Sequence, residues 1–265
     1  MNTVLIPTPY ADPHIGHAWM AWLNYDAAWR TGGEFTLRFD DTTYERKQLW
    51  RQGYSLEHSC ERWVDQLTWL CGGPPDKVAF SSENAAAHEE AWARLGLKPP
   101  RPTREDCTSD WPFGVGVPQQ TAFALAHYHP ATLVYHVVDD ALGGIDGFYS
   151  GMEFLPEAHL YDFFCRQLGW RPPVQCYMPC VRRAEFAVKE SKGMPRPPTP
   201  VGEIGQPQPI VPSLGELRAA GYEPWMIVDT LRECADRAKE KGLRDVVVPE
   251  GHLWPGEVKW LEWRG

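Results

Sequence analysis

Three short stretches of the chain gather residue types that can handle phosphate and carboxylate. Pro13-His14-Ile15-Gly16-His17 sets two imidazoles three residues apart around a glycine. If the stretch opens a helix, free backbone N–H groups and the helix dipole favour a phosphate there. Gly16 then lets a flat base approach the backbone, and His14 and His17 donate to phosphate oxygens as charge develops. The competing role for both histidines is that of plain cap residues. Gly32 to Thr42 (GGEFTLRFDDT) alternates as a strand and ends in Asp40-Asp41. A carboxylate at the C-terminal end of a strand is placed to hold a cation such as an α-ammonium group, unless the pair merely caps the next helix. Lys189-Glu190-Ser191-Lys192-Gly193 is a small basic loop. Lysine pairs of this kind also occur as idle surface charge.

The elements that must position these groups read as alternating strand and helix. Val4-Leu5-Ile6 is a short apolar run closed by Pro7-Thr8-Pro9, and His17 to Arg30 follows with Ala18, Ala21, Trp22, Tyr25 and Trp29 at helical spacing. Gly32-Gly33 stops that helix. Phe35 to Phe39 is the second strand, and Gln48 to Leu70 a long amphipathic helix. The pattern weakens between Cys71 and Pro130, which reads as an insertion between two halves of a sheet. It resumes with Leu133 to Val138 as a strand, Glu157 to Leu168 as a helix and Val174 to Pro179 as a strand. Seven prolines between residues 194 and 212 make a linker. Ser213 to Ala220 and Pro224 to Lys241 are helical, ahead of a Trp-rich tail. Such alternation implies an α/β fold with a parallel sheet.

Composition narrows the function. At 265 residues with 43% hydrophobic and 23% charged side chains, the chain has the balance of a folded globular protein. The first residues show no signal peptide, no window reaches the roughly 18 apolar residues of a membrane span, and a cytoplasmic location without membrane contact is expected. Seven scattered cysteines suit a reducing compartment. Cys176 and Cys180 lack partners at ligand spacing, so no zinc and no other metal site is expected. A net charge of −9 argues against a general nucleic-acid coat. The best local basic patch, Arg232 to Arg244, mixes both signs and reads as a solvated helix face.

In order, these stretches resemble the catalytic domain of the class I glutamyl- and glutaminyl-tRNA synthetases. Pro13 to His17 is similar to the HIGH signature, and Leu37 to Thr42 (LRFDDT) to the strand that follows it. Val137 to Ile145 (VVDDALGGI), Met152-Glu153-Phe154 and Leu160 to Phe163 resemble the second half of that domain. Lys189 to Gly193 is similar to the KMSKS loop, with Glu for Met and Gly for the last Ser, and Leu214 to Pro224 to the segment after it. The resemblance runs over residues 4 to 231.

It implies a Rossmann-like domain over residues 1–193 with a shortened acceptor-type insertion at 71–130, a linker at 194–212 and a helical segment with a Trp-rich tail at 213–265. It implies an ATP-dependent ligase that forms an aminoacyl-adenylate and passes the aminoacyl group to an RNA acceptor. His14, His17, Lys189 and Lys192 would be catalytic. Thr8, Pro9, Gly16, Val181 and Ser191 would join His14, His17 and Lys192 around ATP, which brings Mg²⁺ with its phosphates. Tyr10, Asp40, Thr132, His136, Ser150 and Glu153 would surround the amino acid. The partners implied are ATP, an amino acid and a tRNA acceptor stem, without anticodon recognition, on a monomer.

Departures from the family pattern sharpen the expectation. Val4 and Ser150 stand where the family has arginines that read a side-chain carboxylate, and Thr132 where it has a pocket tyrosine. A buried carboxylate without an Arg partner is costly, so glutamate is expected to be a poor substrate. No anticodon-binding domain is recognised after residue 231 and no zinc knuckle within 71–130. Two other readings stay open: an aminoacyl ligase for a small-molecule or other non-tRNA acceptor, and an inactive nucleotide-binding paralogue with a regulatory role.

Overall fold

The computed structural model describes residues 1–9, 12–42, 55–97, 130–178, 180–183, 201–202, 206–207, 213–240 and 245–248. In chain order the elements are β1 (Thr3–Leu5), α1 (Ile15–Thr31), β2 (Phe35–Phe39), α2 (Leu56–Cys71), β3 (Lys77–Phe80) and α3 (Ala85–Leu95). There follow α4 (Pro130–Leu142), β4 (Gly147–Gly151), α5 (Ala158–Gln167), β5 (Val174–Met178) and β6 (Cys180–Arg183). The last are β7 (Val201–Gly202), β8 (Gln206–Pro207), α6 (Leu214–Ala219), α7 (Pro224–Glu240) and β9 (Asp245–Val248).

Strands β1 to β5 form one parallel sheet in the order β3-β2-β1-β4-β5. This is the doubly wound α/β arrangement expected from the alternating pattern. The register assigns the two faces. Val4 lies beside Thr36, Thr3 beside Gly147, and Ser150 beside Tyr177. Side chains alternate along each strand, so Val4, Arg38, Asp40, Phe148, Ser150 and Tyr177 share one face, and Leu5, Phe35, Leu37 and Phe39 the other. The second set packs with α1, α2, α6 and α7 in one buried cluster. Phe148 packs with α3, α4 and α5 in another. Each face is therefore sealed by helices, as a parallel sheet requires.

Several elements depart from the expectations. Leu133 to Val138 lies inside helix α4, where Leu133, Val134, Val137 and Val138 are buried. Those positions form one helical face, but a short β-branched run does not reveal its period. The strand at that point of the fold is β4, passed over because its two glycines and small residues carry little apolar signal. Residues 77–95, inside the stretch expected to be an insertion, hold the edge strand β3 and helix α3, while 98–129 lie outside the described residues. Trp29, counted on the apolar face of α1, is 74% exposed. Trp22 instead stacks on Trp19, with the Arg232 guanidinium 4.9 Å from its ring centroid.

Candidate active site

The sheet opens where its winding reverses. β1 pairs with β4 at a single register position, Thr3 with Gly147, while β4 and β5 pair along their whole length. Beyond that pair the Tyr149 peptide is served by a side chain of α1. Asn24 Nδ2 donates to Tyr149 O at 3.0 Å, and Tyr149 N donates to Asn24 Oδ1 at 3.0 Å. Asn24 is fully buried and holds the splayed strands through α1. In open α/β sheets ligands enter at this switch point, outside the C-terminal strand ends.

The loop leaving β1 reaches α1 with both histidines engaged in its cap. His14 is the N-cap residue, and its Nδ1 accepts from Gly16 N at 3.0 Å. His17 returns the contact, its Nδ1 accepting from His14 N at 3.3 Å. The rings stack with centroids 3.7 Å apart, and His17 meets the edge of buried Trp63 at 4.8 Å. Because each Nδ1 is an acceptor, the proton of each neutral ring sits on Nε2. Burial lowers the His14 pKa to about 4. Burial, and then the neighbouring His14, hold His17 well below its ordinary value. The pair thus stays neutral and offers Nε2–H donors beside a helix N-terminus, which suits a nucleotide phosphate. The capping role engages each Nδ1 and leaves each Nε2–H outside the cap.

Asp40 extends from the end of β2 and is buried. Its N–H donates to Pro7 O at 2.9 Å, which sets the loop carrying Thr8 and Pro9 against this strand end. Its carboxylate accepts from Thr42 Oγ1 at 2.6 Å. Asp41 turns elsewhere and caps the turn at Ser82, accepting from its N–H at 2.9 Å. Of the two aspartates, only the first faces α4.

Beneath Asp40 lies a buried network that the sequence reading left without a role. Arg38 Nη1 donates to Asp140 Oδ1 at 2.7 Å, and Arg38 Nε stands 3.4 Å from Asp139 Oδ2. The second distance is an ion pair without hydrogen-bond alignment. Asp139 Oδ1 accepts from His88 Nε2 at 2.7 Å and Asn84 Nδ2 at 2.8 Å, and Tyr161 OH donates to Asp140 Oδ2 at 2.5 Å. Burial by itself would raise the Asp139 carboxyl. The hydrogen bonds from His88 and Asn84 and the Arg38 charge outweigh it and hold Asp139 below its ordinary range. His136 adjoins this network. Burial lowers its pKa, with Arg38 acting the same way and Asp40, Asp140 and Asp139 opposing. Its Nε2 is buried and, like Arg38 Nη2, makes no hydrogen bond among the described residues. Buried polar atoms without partners, gathered at a strand end, are where a polar ligand fits. The available signal in the sequence was Arg38 itself, a cation two residues before Asp40 in an otherwise apolar strand.

The remaining predicted site residues divide by position. Ser150 lies half-buried at the end of β4, and Val181 on β6 packs against the α1 cluster. Thr132 falls in the first turn of α4 and Glu153 in a short 3-10 helix after β4 (Met152–Glu157), with their side chains outside the described residues. Tyr10, Lys189, Ser191 and Lys192 also lie outside them. Among the described residues no group of three or more His, Cys, Asp or Glu side chains is set to hold a metal ion. A separate apolar cleft of about 660 Å³, lined by Phe39, Leu56, Cys60, Val64, Val78 and Phe80, sits on the opposite sheet face from Asp40.

The fold and the crevice define an α/β domain of the doubly wound class. Residues 2–93 match the model of the catalytic domain of class I tRNA synthetases for Glu and Gln. A glutamate–tRNA ligase of Pseudomonas aeruginosa is 26% identical over 282 residues, covering 82% of this chain and 56% of its own. One from Pseudomonas putida is also 26% identical, over 290 residues. The solved glutamate tRNA ligase of Elizabethkingia meningosepticum, in complex with its amino acid, superposes with a TM-score of 0.59. That likeness covers 87% of this chain and 60% of the other at 16% identity, and it concerns the fold. Over residues 2–93 the chain is thus similar to the class I glutamyl- and glutaminyl-tRNA synthetase catalytic domain, and it spans a little over half the length of the curated relatives it matches. No helix among the described residues is long and apolar enough to cross a membrane.

Proposed function

We propose that this chain activates an amino acid with ATP and transfers the aminoacyl group to an RNA acceptor. The observation that carries the reading is the neutral His14–His17 pair at the α1 N-terminus, beside the crevice that holds Asp40. An α-carboxylate oxygen attacks the α-phosphorus of ATP, the bond between that phosphorus and the oxygen bridging to the β-phosphate breaks, and pyrophosphate leaves. An acceptor hydroxyl then attacks the acyl carbon, and AMP leaves.

The chain's own contribution is positioning and charge stabilisation, which dominate phosphoryl-group chemistry. Asp40 holds the α-ammonium group. The Nε2–H groups of His14 and His17 and the open N–H groups of α1 meet the α-phosphoryl oxygens. Lys189 and Lys192, assigned from their resemblance to the lysine loop of the family, grip the departing pyrophosphate. Ser191, Val181, Thr8, Pro9 and Gly16 complete the ATP site, and Tyr10, Thr132, His136, Ser150 and Glu153 the amino-acid site. Mg²⁺ is carried by the ATP phosphates.

The test is ATP–pyrophosphate exchange with each standard amino acid, with and without bulk RNA. Exchange that depends on an amino acid supports activation, and aminoacylated RNA supports the acceptor. A small-molecule acceptor is favoured by the net charge of −9 and is reported by adenylate turnover without labelled RNA. Tight ATP binding without exchange marks an inactive nucleotide-binding relative.

A further inference from the structure

Among the described residues, the charged groups beside Asp40 are mostly carboxylates. Those acting on His136, among the same described residues, are Asp40, Arg38, Asp140 and Asp139, three carboxylates against one guanidinium. Arg38 is 3% exposed and paired with both Asp139 and Asp140, so its charge is already offset, while its Nη2 makes no hydrogen bond among the described residues. The sheet face around it offers neutral groups at the same level. The register puts Ser150 beside Tyr177 there, and Tyr177 OH donates to Gln175 Oε1 at 2.5 Å, whose Nε2 donates in turn to Asp162 Oδ1 at 2.8 Å. Beyond this row stand two more carboxyl groups, Asp162 and Glu157, both of which act on Tyr177. Val4, one step deeper on the same face, is a buried aliphatic side chain.

We propose that the amino acid taken at this site carries no negative charge on its side chain. The inference rests on the amino-acid-activation reading above and names its substrate class. The α-ammonium group of any amino acid is drawn to Asp40, and the α-carboxylate is directed to the α1 N-terminus and consumed in the reaction. A second carboxylate, on a side chain, meets an excess of negative charge in a site of low dielectric. Among the described residues the buried guanidinium is Arg38, whose charge is already shared by Asp139 and Asp140. Interactions between like charges at such separations are weakly screened when water is excluded.

The experiment is exchange kinetics on the intact chain, comparing kcat/KM for the standard amino acids. Glutamate and aspartate are expected to fall at least about tenfold below the best neutral or cationic amino acid. Either acid as the best substrate overturns the inference while leaving activation standing. Exchange with no amino acid at all removes the activation reading, and the inference with it. A folded Ser150→Arg variant supplies a second test. It places a cation in the neutral row and is expected to raise the ratio of glutamate to the best neutral substrate by about tenfold. An unchanged ratio, with circular dichroism and melting like the parent chain, overturns the placement of the side chain on this row.

Discussion

His14 and His17 cap one another. Each Nδ1 accepts a backbone N–H of the α1 N-terminus, from Gly16 in one case and from His14 in the other, with the rings 3.7 Å apart. The cap works only while both rings are neutral, because a protonated Nδ1 is a donor and cannot accept. Burial enforces this by lowering His14 from 6.5 to about 4. Between those values the unfolded chain binds a proton that the folded chain refuses, so this group's contribution to stability is lost as pH falls from about 6.5 toward 4. Glu157 acts in the opposite sense, since burial raises it from 4.5 to about 7 and its contribution is lost as pH rises through that value. The difference between parent and variant therefore carries the test. His14→Asn keeps an N-cap acceptor and removes the titration. Urea midpoints from pH 4 to 7 are expected to fall less steeply toward acid in the variant, and parallel curves would refute the neutral cap.

Gly16 is held to glycine by the same cap. A Cβ built there stands 2.9 Å from His14 Cε1 and 3.1 Å from His14 Nδ1, so the ring must move. Gly16→Ala is expected to cost about 0.5–2 kcal/mol, as loss of a cap does, and to raise the apparent KM for ATP. Unchanged melting and KM together would show that the ring shifts without consequence.

Asp40→Asn separates binding roles. If the carboxylate pairs with the α-ammonium group, the KM for the amino acid rises far more than the KM for ATP. Equal effects on both would mark Asp40 as a structural residue held by Thr42 and Pro7.

Asp140→Ala removes the carboxylate that meets Arg38 at 2.7 Å and Tyr161 at 2.5 Å. Both Asp140 and Arg38 are nearly inaccessible, and breaking a buried pair by deleting one partner costs about 3–5 kcal/mol. Equilibrium unfolding is expected to show a loss of this size. A loss under about 1 kcal/mol would mean that Asp139 alone compensates Arg38.

Lys192→Ala and His17→Ala are each expected to lower amino-acid-dependent exchange by at least about tenfold without unfolding the chain, since each is assigned to charge that develops during the reaction. Unchanged exchange in either variant removes that residue from the chemistry.

Much of the local framework around the candidate site was legible from residue types in order. The two histidines around Gly16, the strand ending at Asp40, and the helices expected over 48–70, 213–220 and 224–241 and described over 56–71, 214–219 and 224–240 follow from local spacing, capping residues and strand ends, which are properties of neighbouring residues. The second half of the sheet was not legible in the same way. Leu133 to Val138 reads equally as a strand or as a helix, and the packing of Val134 and Val138 with Leu160 and Phe164 decides for the helix. β4, with glycine at both ends, becomes a strand through its pairing with β5 and through Asn24, a residue 125 positions from Tyr149. Arg38, Asp139 and Asp140 are the plainest case. Apart in sequence they are ordinary charges. Only the sheet register and the packing of α4 against β2 bring two carboxylates onto one buried guanidinium, because a charge taken from water must find its partners in three dimensions.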